Sequence, residues 1–551
     1  MKCSFLPVLA LSVLLQLTTS SAVNAQVKLL PVPVPTFKKD TFNIIKFGAK
    51  ADGVFLNTTS INNAITACSK KGGGVVLIPN GFWLTGPVVL QSNVNLSLSK
   101  NALLQFTADK TQYTLQESFW EGVAAARNQS PISAVNATNI AITGTGIIDG
   151  NGDTWRAVKK DKLTDNQWKK LLTSGGVLSE DKKTWYPSAS SFKGAATKDA
   201  GVLQGGKKAK DFEDIKDFLR PNLLVFTSCK NVLLDGVTFQ NSPAWNLHPL
   251  MCENLTVRNI YAKNPWYAQN GDGIDIESCK NVLLENSTFD VGDDGICIKS
   301  GKDEEGRKRG MPTENVTVRN CVVYHAHGGF VIGSEMSGGA RNINVTNCTF
   351  IGTDIGLRFK TTRGRGGVVE NIYCDNINMK DIAGEAILFD MYYMAKDPVP
   401  LAGEVRDAPK VELLPVTEAT PQFKNFLVKN IVCDGAEKAV FIRGLPEMSI
   451  KNITMENMVI KAKKGIICEE ANGVSFKNVQ ILATDTKPLV SILNGQNISF
   501  DKLMYTVNAE LLFGLKGENT KNVIVTNTDP SKAKAKAEFT AGAAEKALSI
   551  K

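Results

Sequence analysis

Four short polar islands interrupt stretches that otherwise read as buried strand: Asn270-Gly271-Asp272, Gly292-Asp293-Asp294-Gly295, His327-Gly328-Gly329 and Arg358-Phe359-Lys360. Successive islands are roughly 20 to 35 residues apart, the period at which one coil of a repeat architecture follows another. On stacked coils, three carboxylates, an imidazole and two cations would share one face. Asp293 and Asp294 are adjacent, so both reach one cleft only at a bend, which Gly292 and Gly295 permit. Asp272, a coil earlier, would lie about 5 Å away, one strand spacing. Carboxylates so close cannot all stay charged cheaply, so at least one is expected to hold its proton unusually well. Such a set suits glycoside hydrolysis, which needs an acid for the leaving oxygen and a carboxylate to activate water or attack the sugar.

The same carboxylates could instead hold calcium. Arg358 and Lys360 tilt the choice. Two apart on a strand, they face one side, and an Arg fork beside a Lys point charge is a suitable grip for a sugar carboxylate. The competing reading for this pair is a salt bridge to the acidic cluster. His327, one of 3 histidines in the chain, can tune or share a proton beside carboxylates.

The elements that must position these groups are legible as repeats. An Asn followed by an apolar residue recurs at Asn139-Ile140, Asn231-Val232, Asn254-Leu255, Asn281-Val282, Asn315-Val316, Asn342-Ile343 and Asn371-Ile372. The pattern resumes at Asn425-Phe426, Asn452-Ile453, Asn497-Ile498 and Asn522-Val523. Alternation follows several of them, as in Val316-Thr317-Val318-Arg319, which is a strand signature. Asn tolerates left-handed backbone and can hydrogen-bond to stacked copies of itself. Repeats too short to enclose a core must bury their apolar side against neighbours, so the expected fold is all-β: a right-handed single-stranded parallel β-helix. A solenoid grows by adding coils, which reconciles 551 residues with one domain.

Residues 1–25 read as a cleavable secretory signal, with Lys2 before an apolar run from Phe5 to Leu17, so an exported protein is expected. Residues 26–80 should supply the N-terminal segment and a short capping helix through Ile61, Ala64, Ile65 and Cys68, with the N-cap taken from Asn57-Thr58-Thr59-Ser60. The β-helix is placed at 81–530. Insertions near 155–220 and 395–422 are expected to wall the site, and 531–551 to form a helix or loose tail. Cys229, Cys252 and Cys279 each stand two residues before a repeat Asn, and Cys321 and Cys348 each six after one. Equivalent positions form a column, so buried free thiols are favoured over disulfides.

The ordered islands resemble the signatures of glycoside hydrolase family 28, the polygalacturonases, over about Phe42 to Ile524. The resemblance implies that Asp293 is the general acid and that Asp272 and Asp294 activate water with inversion. It implies also that His327 supports the acid and that Arg358 and Lys360 hold the galacturonate carboxylate. Asn270 shares the first signature, and the tracts Asn241–Pro249 and Gly333–Gly339 are similar to family members. His248 and Glu335 within these tracts join Asn270 as substrate-binding candidates. A downstream tyrosine, Tyr392 or Tyr393, would complete the subsite, with Tyr393 taken forward. Gly271, Ala326 and Phe359 depart from the usual Thr, Gly and Ile; none is a reacting group.

The implied substrate is pectic homogalacturonan, and His327 favours it over rhamnogalacturonan. Exo action is expected from the two insertions and from extra cations at Arg363 and Arg365. The alternatives are a calcium-dependent pectate-lyase-like enzyme, an endo-acting or rhamnogalacturonan- or xylogalacturonan-directed member of the same family, and a catalytically silent β-helix adhesin. A formal charge of +9 suits a polyanion. No nucleic-acid motif accompanies it. No cofactor, metal or membrane span is expected, and the chain should act as a monomer.

Overall fold

The computed structural model describes residues 31–393 and 412–551. The expected signal and most of the 395–422 insertion therefore lie outside the described residues. The chain winds into a right-handed parallel β-helix, a sheet of 36 strands in which each strand pairs with its counterparts one coil before and after.

Each coil has three strand positions. The first stacks Leu224–Thr227, Leu247–Leu250, Ile274–Glu277, Ile296–Lys299, Phe330–Ile332 and Leu357–Lys360. Lys230–Asp235, Glu253–Arg258, Lys280–Glu285 and Thr313–Arg319 stack in the second, and Thr238–Gln240, Tyr261–Lys263, Thr288–Asp290 and Val322–Tyr324 in the third. Inward positions form apolar columns such as Phe226, Ile276, Ile298, Ile332 and Phe359, all fully buried. Near-parallel strands buried on the inner face leave only their outward positions for chemistry.

The repeat asparagines do what their short amides allow. Asn231, Asn254, Asn281, Asn315, Asn342 and Asn371 all have φ of 53–58°. Each donates its Nδ2 to the Oδ1 of the preceding one, as Asn281 does to Asn254 at 3.1 Å. The ladder continues from Asn371 through Asn425 to Asn452, and a further run joins Asn472, Asn497 and Asn522. The cysteines among the described residues are free and buried, and Cys229, Cys252 and Cys279 stand in successive coils of one column.

The ends differ in detail from expectation. Helix Thr58–Lys70 buries Ile61, Ala64, Ile65 and Cys68 over the open end, but Asn57 does not cap it. Its side chain instead tethers the backbone of Lys50, Phe55 and Leu84. Pairing also starts before residue 81, because Thr41–Asn43 and Gly74–Ile78 already stack on the first coils. Residues 531–551 are neither helix nor loose tail: Ala533–Thr540 and Leu548–Ile550 pair with Ala509–Lys516 and Lys521–Thr526 as the last coil. Alternating Ala and Lys keep the strand period of two, but neither residue type favours a strand, and an open sheet edge supplies the partner that decides.

The ladder predicts a measurable cost. Asn281→Ala loses both amide hydrogen bonds and puts a Cβ-bearing residue without an amide at φ 57°. Its stability to urea should fall by about 1–2 kcal/mol, and Asn281→Gly should lose less because the backbone strain is relieved.

Candidate active site

Three of the polar islands occupy one corner, where the third strand of a coil turns into the first of the next, and Arg358 and Lys360 lie on the adjoining first strand Leu357–Lys360. Gly273 N–H donates to Asp294 O at 2.9 Å, and Gly295 N–H to Gly328 O at 2.9 Å, so Asp272, Asp294 and the His327 turn stack on successive rungs. Asp293 and Asp294 sit on a bend, and the Asp293 carboxylate accepts from the N–H groups of Asp294 and Asn270. One oxygen from each of Asp272, Asp293 and Asp294 falls within 4.8 Å of the others. Gly292 is required here: a Cβ would come 2.6 Å from Pro265 O and 2.8 Å from Trp266 O.

The cations meet the carboxylates directly. Lys360 Nζ lies 2.7 Å from one Asp294 oxygen and Arg358 Nη1 3.2 Å from the other. Phe359, between them, points into the core. Burial pushes the Asp294 carboxyl up, but Lys360 and Arg358 outweigh it and bring it down to about 2. Asp272 goes the other way. Burial, then the neighbouring charges of Asp275 and Asp293, raise it well above the usual carboxylate range. The carboxyl expected to keep its proton is thus Asp272. His327 Nδ1 lies 3.3 Å from Asp293 and Nε2 3.7 Å from Asp354. The contact with Asp293 raises the imidazole above its ordinary value.

Of the remaining candidates, Asn270 Oδ1 accepts from Arg220 Nη2 at 3.0 Å and borders the acidic group. Tyr393 is the tyrosine that reaches the site, its ring 4.8 Å from Lys360 Nζ; Tyr392 packs instead against Arg363 and Arg443. His248 and Glu335 are not open to a substrate. His248 is buried between Asn222 and Glu277, and Glu335 binds Lys299 at 2.9 Å with Arg365 behind it. They hold other charges in place. Arg363 and Arg365 are likewise committed, to Glu447 and Asp303.

Sequence reasoning missed a second set of charges. The strands Ile274–Glu277 and Ile296–Lys299 alternate Ile with Asp275, Glu277, Cys297 and Lys299. Lys299 joins Glu335 and Asp275, and Arg309 joins Glu277 at 2.6 Å. Alternation was the available signal, since polar residues between core isoleucines must face outward.

A hairpin, Leu115–Trp120 with Val123–Asn128, covers this second set. Trp120 stacks on Trp245 at 5.0 Å, Arg127 lies beneath Trp120, and Gly122 O accepts from Lys302 N–H. Phe119 lies under Arg309. The 155–220 insertion braces the hairpin through Phe212, Ile215 and Leu219. The two flanks of the acidic group therefore differ. Toward the hairpin, His248, Glu277 and Lys299 are at most 4% exposed. Toward His327 and Asp354, those side chains are 50% and 57% exposed.

The chain is similar to known proteins throughout this region. The profile of glycosyl hydrolases family 28 matches residues 204–406. An exopolygalacturonase of Thermotoga maritima, of solved structure, is 32% identical with a TM-score of 0.66, over 82% of this chain and 94% of that one. The chain belongs to glycoside hydrolase family 28. A probable polygalacturonase of Vitis vinifera is 28% identical over 79% of this chain and 78% of its own length. An endo-polygalacturonase of Pectobacterium carotovorum is 28% identical over 72% and 84%. The enzyme thus has relatives named for both exo and endo action.

Asp272 generates a prediction on stability. Its raised carboxyl favours the protonated folded state, so the stability it contributes is fully present below the ordinary carboxylate value of about 4 and is lost as pH rises toward the folded value. A side-chain amide has no proton to lose. Asp272→Asn should melt higher than wild type at pH 7, the difference should close below about pH 4, and turnover should fall by about a hundredfold or more. Melting curves across pH, with a rate assay, check all three.

Proposed function

We propose that the enzyme hydrolyses the α-1,4-galacturonosidic bonds of pectic homogalacturonan from a chain end, with inversion at the anomeric carbon. The observation that carries this reading is the one-sided access: reacting groups at the floor of a recess whose one flank is roofed by a hairpin and whose other flank is open. An open groove would let a chain pass through, whereas a recess closed on one flank admits a terminus.

The chemistry divides among the residues by environment. Asp293, the most exposed of the three carboxyls with a side chain 23% exposed, delivers a proton to the leaving glycosidic oxygen. His327 at its side can return one. Asp294 and Asp272 hold the attacking water between them, and an Asp272 oxygen that is buried without a hydrogen-bond partner is available to it. Asp294, kept ionised by Lys360 and Arg358, accepts the water's proton. A uronate carboxylate arriving at Arg358 and Lys360 would compete for those cations and raise the basicity of Asp294 as the substrate seats. The orphaned Arg358 Nε is a further donor for that carboxylate.

Inversion rests on the resemblance to the family signatures and not on spacing, because the three carboxyl groups place oxygens within 4.8 Å of one another, closer than the roughly 6.5–9.5 Å usual between inverting carboxyl groups. The calcium reading, and with it a lyase, is disfavoured by the donor set. Lys360 and Arg358 already supply the positive charge at Asp294, and three carboxylates fall short of the roughly six to eight oxygens that calcium takes. We also propose that the enzyme is exported. The apolar run Phe5–Leu17 supports this, and no helix among the described residues is long and apolar enough to cross a membrane.

Product sizing on polygalacturonate tests the proposal. Monomer should dominate from the first minutes with chelator present and without ultraviolet absorbance, and proton NMR should show the β-anomer first; an early ladder of oligomers would remove the exo assignment. Deleting Ser118–Ala125 and joining Glu117 to Ala126 through Gly-Gly should open the roofed flank and convert monomer release into such a ladder. Asp293→Asn should fold as wild type does and lose about a hundredfold to ten-thousandfold in turnover. Retained turnover would exclude Asp293 as the acid.

A further inference from the structure

The open flank carries a feature that the reaction as derived does not use. Trp266 is 57% exposed, an unusual setting for the largest side chain in the alphabet. It stands on the turn between Tyr261–Lys263 and Ile274–Glu277, and that turn rests on Gly292, immediately before the acid Asp293. Facing it is the 155–220 insertion, which leaves the helix at the same corner, after Ile147–Asp149 and before Leu224–Thr227. The insertion has its own small core of Val158, Trp168 and Trp185 and a three-stranded antiparallel sheet, so its rim is a built surface. From that rim, Lys162 places its ammonium 5.0 Å from the centre of the Trp266 ring. Lys159 lines the same recess, about 690 Å³ in volume, which runs without interruption to Asn270, Asp293 and His327. Among the described residues neither ammonium has a carboxylate partner. The acidic groups lining the recess, Asp293 and Asp354, stand beside His327.

We propose that Trp266, Lys159 and Lys162 form an outer subsite for a uronate unit of the substrate chain. The indole would supply a flat face for the pyranose ring, and the two ammonium groups would take its carboxylate. With one flank roofed, the way out that the described residues leave is this recess, so a substrate longer than the reacting units passes over the tryptophan. Two lysines select the free acid over its methyl ester, because the ester has no charge for them to pair with. This inference rests on the galacturonan reading for its ligand class.

The test uses trigalacturonate and longer oligomers with Trp266→Ala, Trp266→Phe and the double variant Lys159→Gln/Lys162→Gln. Trp266→Ala should raise KM roughly tenfold with kcat within about twofold, and Trp266→Phe should restore most of the loss. The double variant should raise KM at low ionic strength by a similar factor and flatten its salt dependence. All three should melt with the wild type. An unchanged KM in both Trp266→Ala and the double variant would overturn the subsite, as would a loss confined to kcat. If the wild type cleaves no galacturonan, the hydrolase reading fails separately. Calorimetric binding of trigalacturonate to Asp293→Asn, with and without Trp266→Ala, then decides the subsite alone: weaker binding supports it and equal binding sinks it.

Discussion

Parallel strand pairing between successive coils is the constraint on which the site depends. Each rung lies about 4.8 Å from the next, and its register is held by backbone hydrogen bonds along the strands and by the asparagine ladder at the bend. Residues separated in sequence by Asp272 to Lys360 are thereby brought to one corner, on successive rungs. A slip of one residue in any strand would turn its outward charges into the apolar column. The ladder's left-handed asparagines, such as Asn254 and Asn281, guard against that slip, because their amides bond only when the coils are stacked in register.

Placing charge on such a spiral is costly, and the structure shows how the cost is offset. Asp272, Asp275, Glu277, Asp294 and Lys299 are all nearly fully buried. Buried charges persist when partnered. Asp294 is matched by Lys360 and Arg358, Glu277 by Arg309, and Glu335 by Lys299. Among the described residues Asp272 has no such cation at contact distance, and its carboxyl responds by holding its proton. Neighbouring carboxyls of one residue type are thus driven apart in acidity, which is what division of labour between them requires. The second network, under the hairpin, has side chains at most 11% exposed and is the foundation on which the acidic rungs sit.

Much of this was legible in the residues alone. The repeat asparagines announced the coils because only a few residue types tolerate the backbone at that bend. The four islands announced one cluster of charged side chains because polar residues recurring at coil spacing between apolar strands stack on one another. Alternating Ala and Lys at 533–537 concealed a strand, since neither residue favours one and the partner strand decides. His248 and Glu335 lay in similar tracts yet proved to be internal partners of other charges. Residue type cannot distinguish a carboxylate that meets substrate from one that meets Lys299. Arg363 and Arg365 misled in the same way.

What the sequence by itself determined is the inventory of chemistry and the spiral that carries it, because both are periodic and local periodicity survives without coordinates. Access was decided only in three dimensions. The hairpin at 115–128 lies far in sequence from the helix at 303–309 and from Trp245, and no pattern in it announces that it will fold over them. Its reach comes from stacking Trp120 on Trp245 and from the support of Phe212 and Ile215 beneath. Which flank of the acidic group is sealed, and which leads past Trp266 to solvent, depends on that long-range packing.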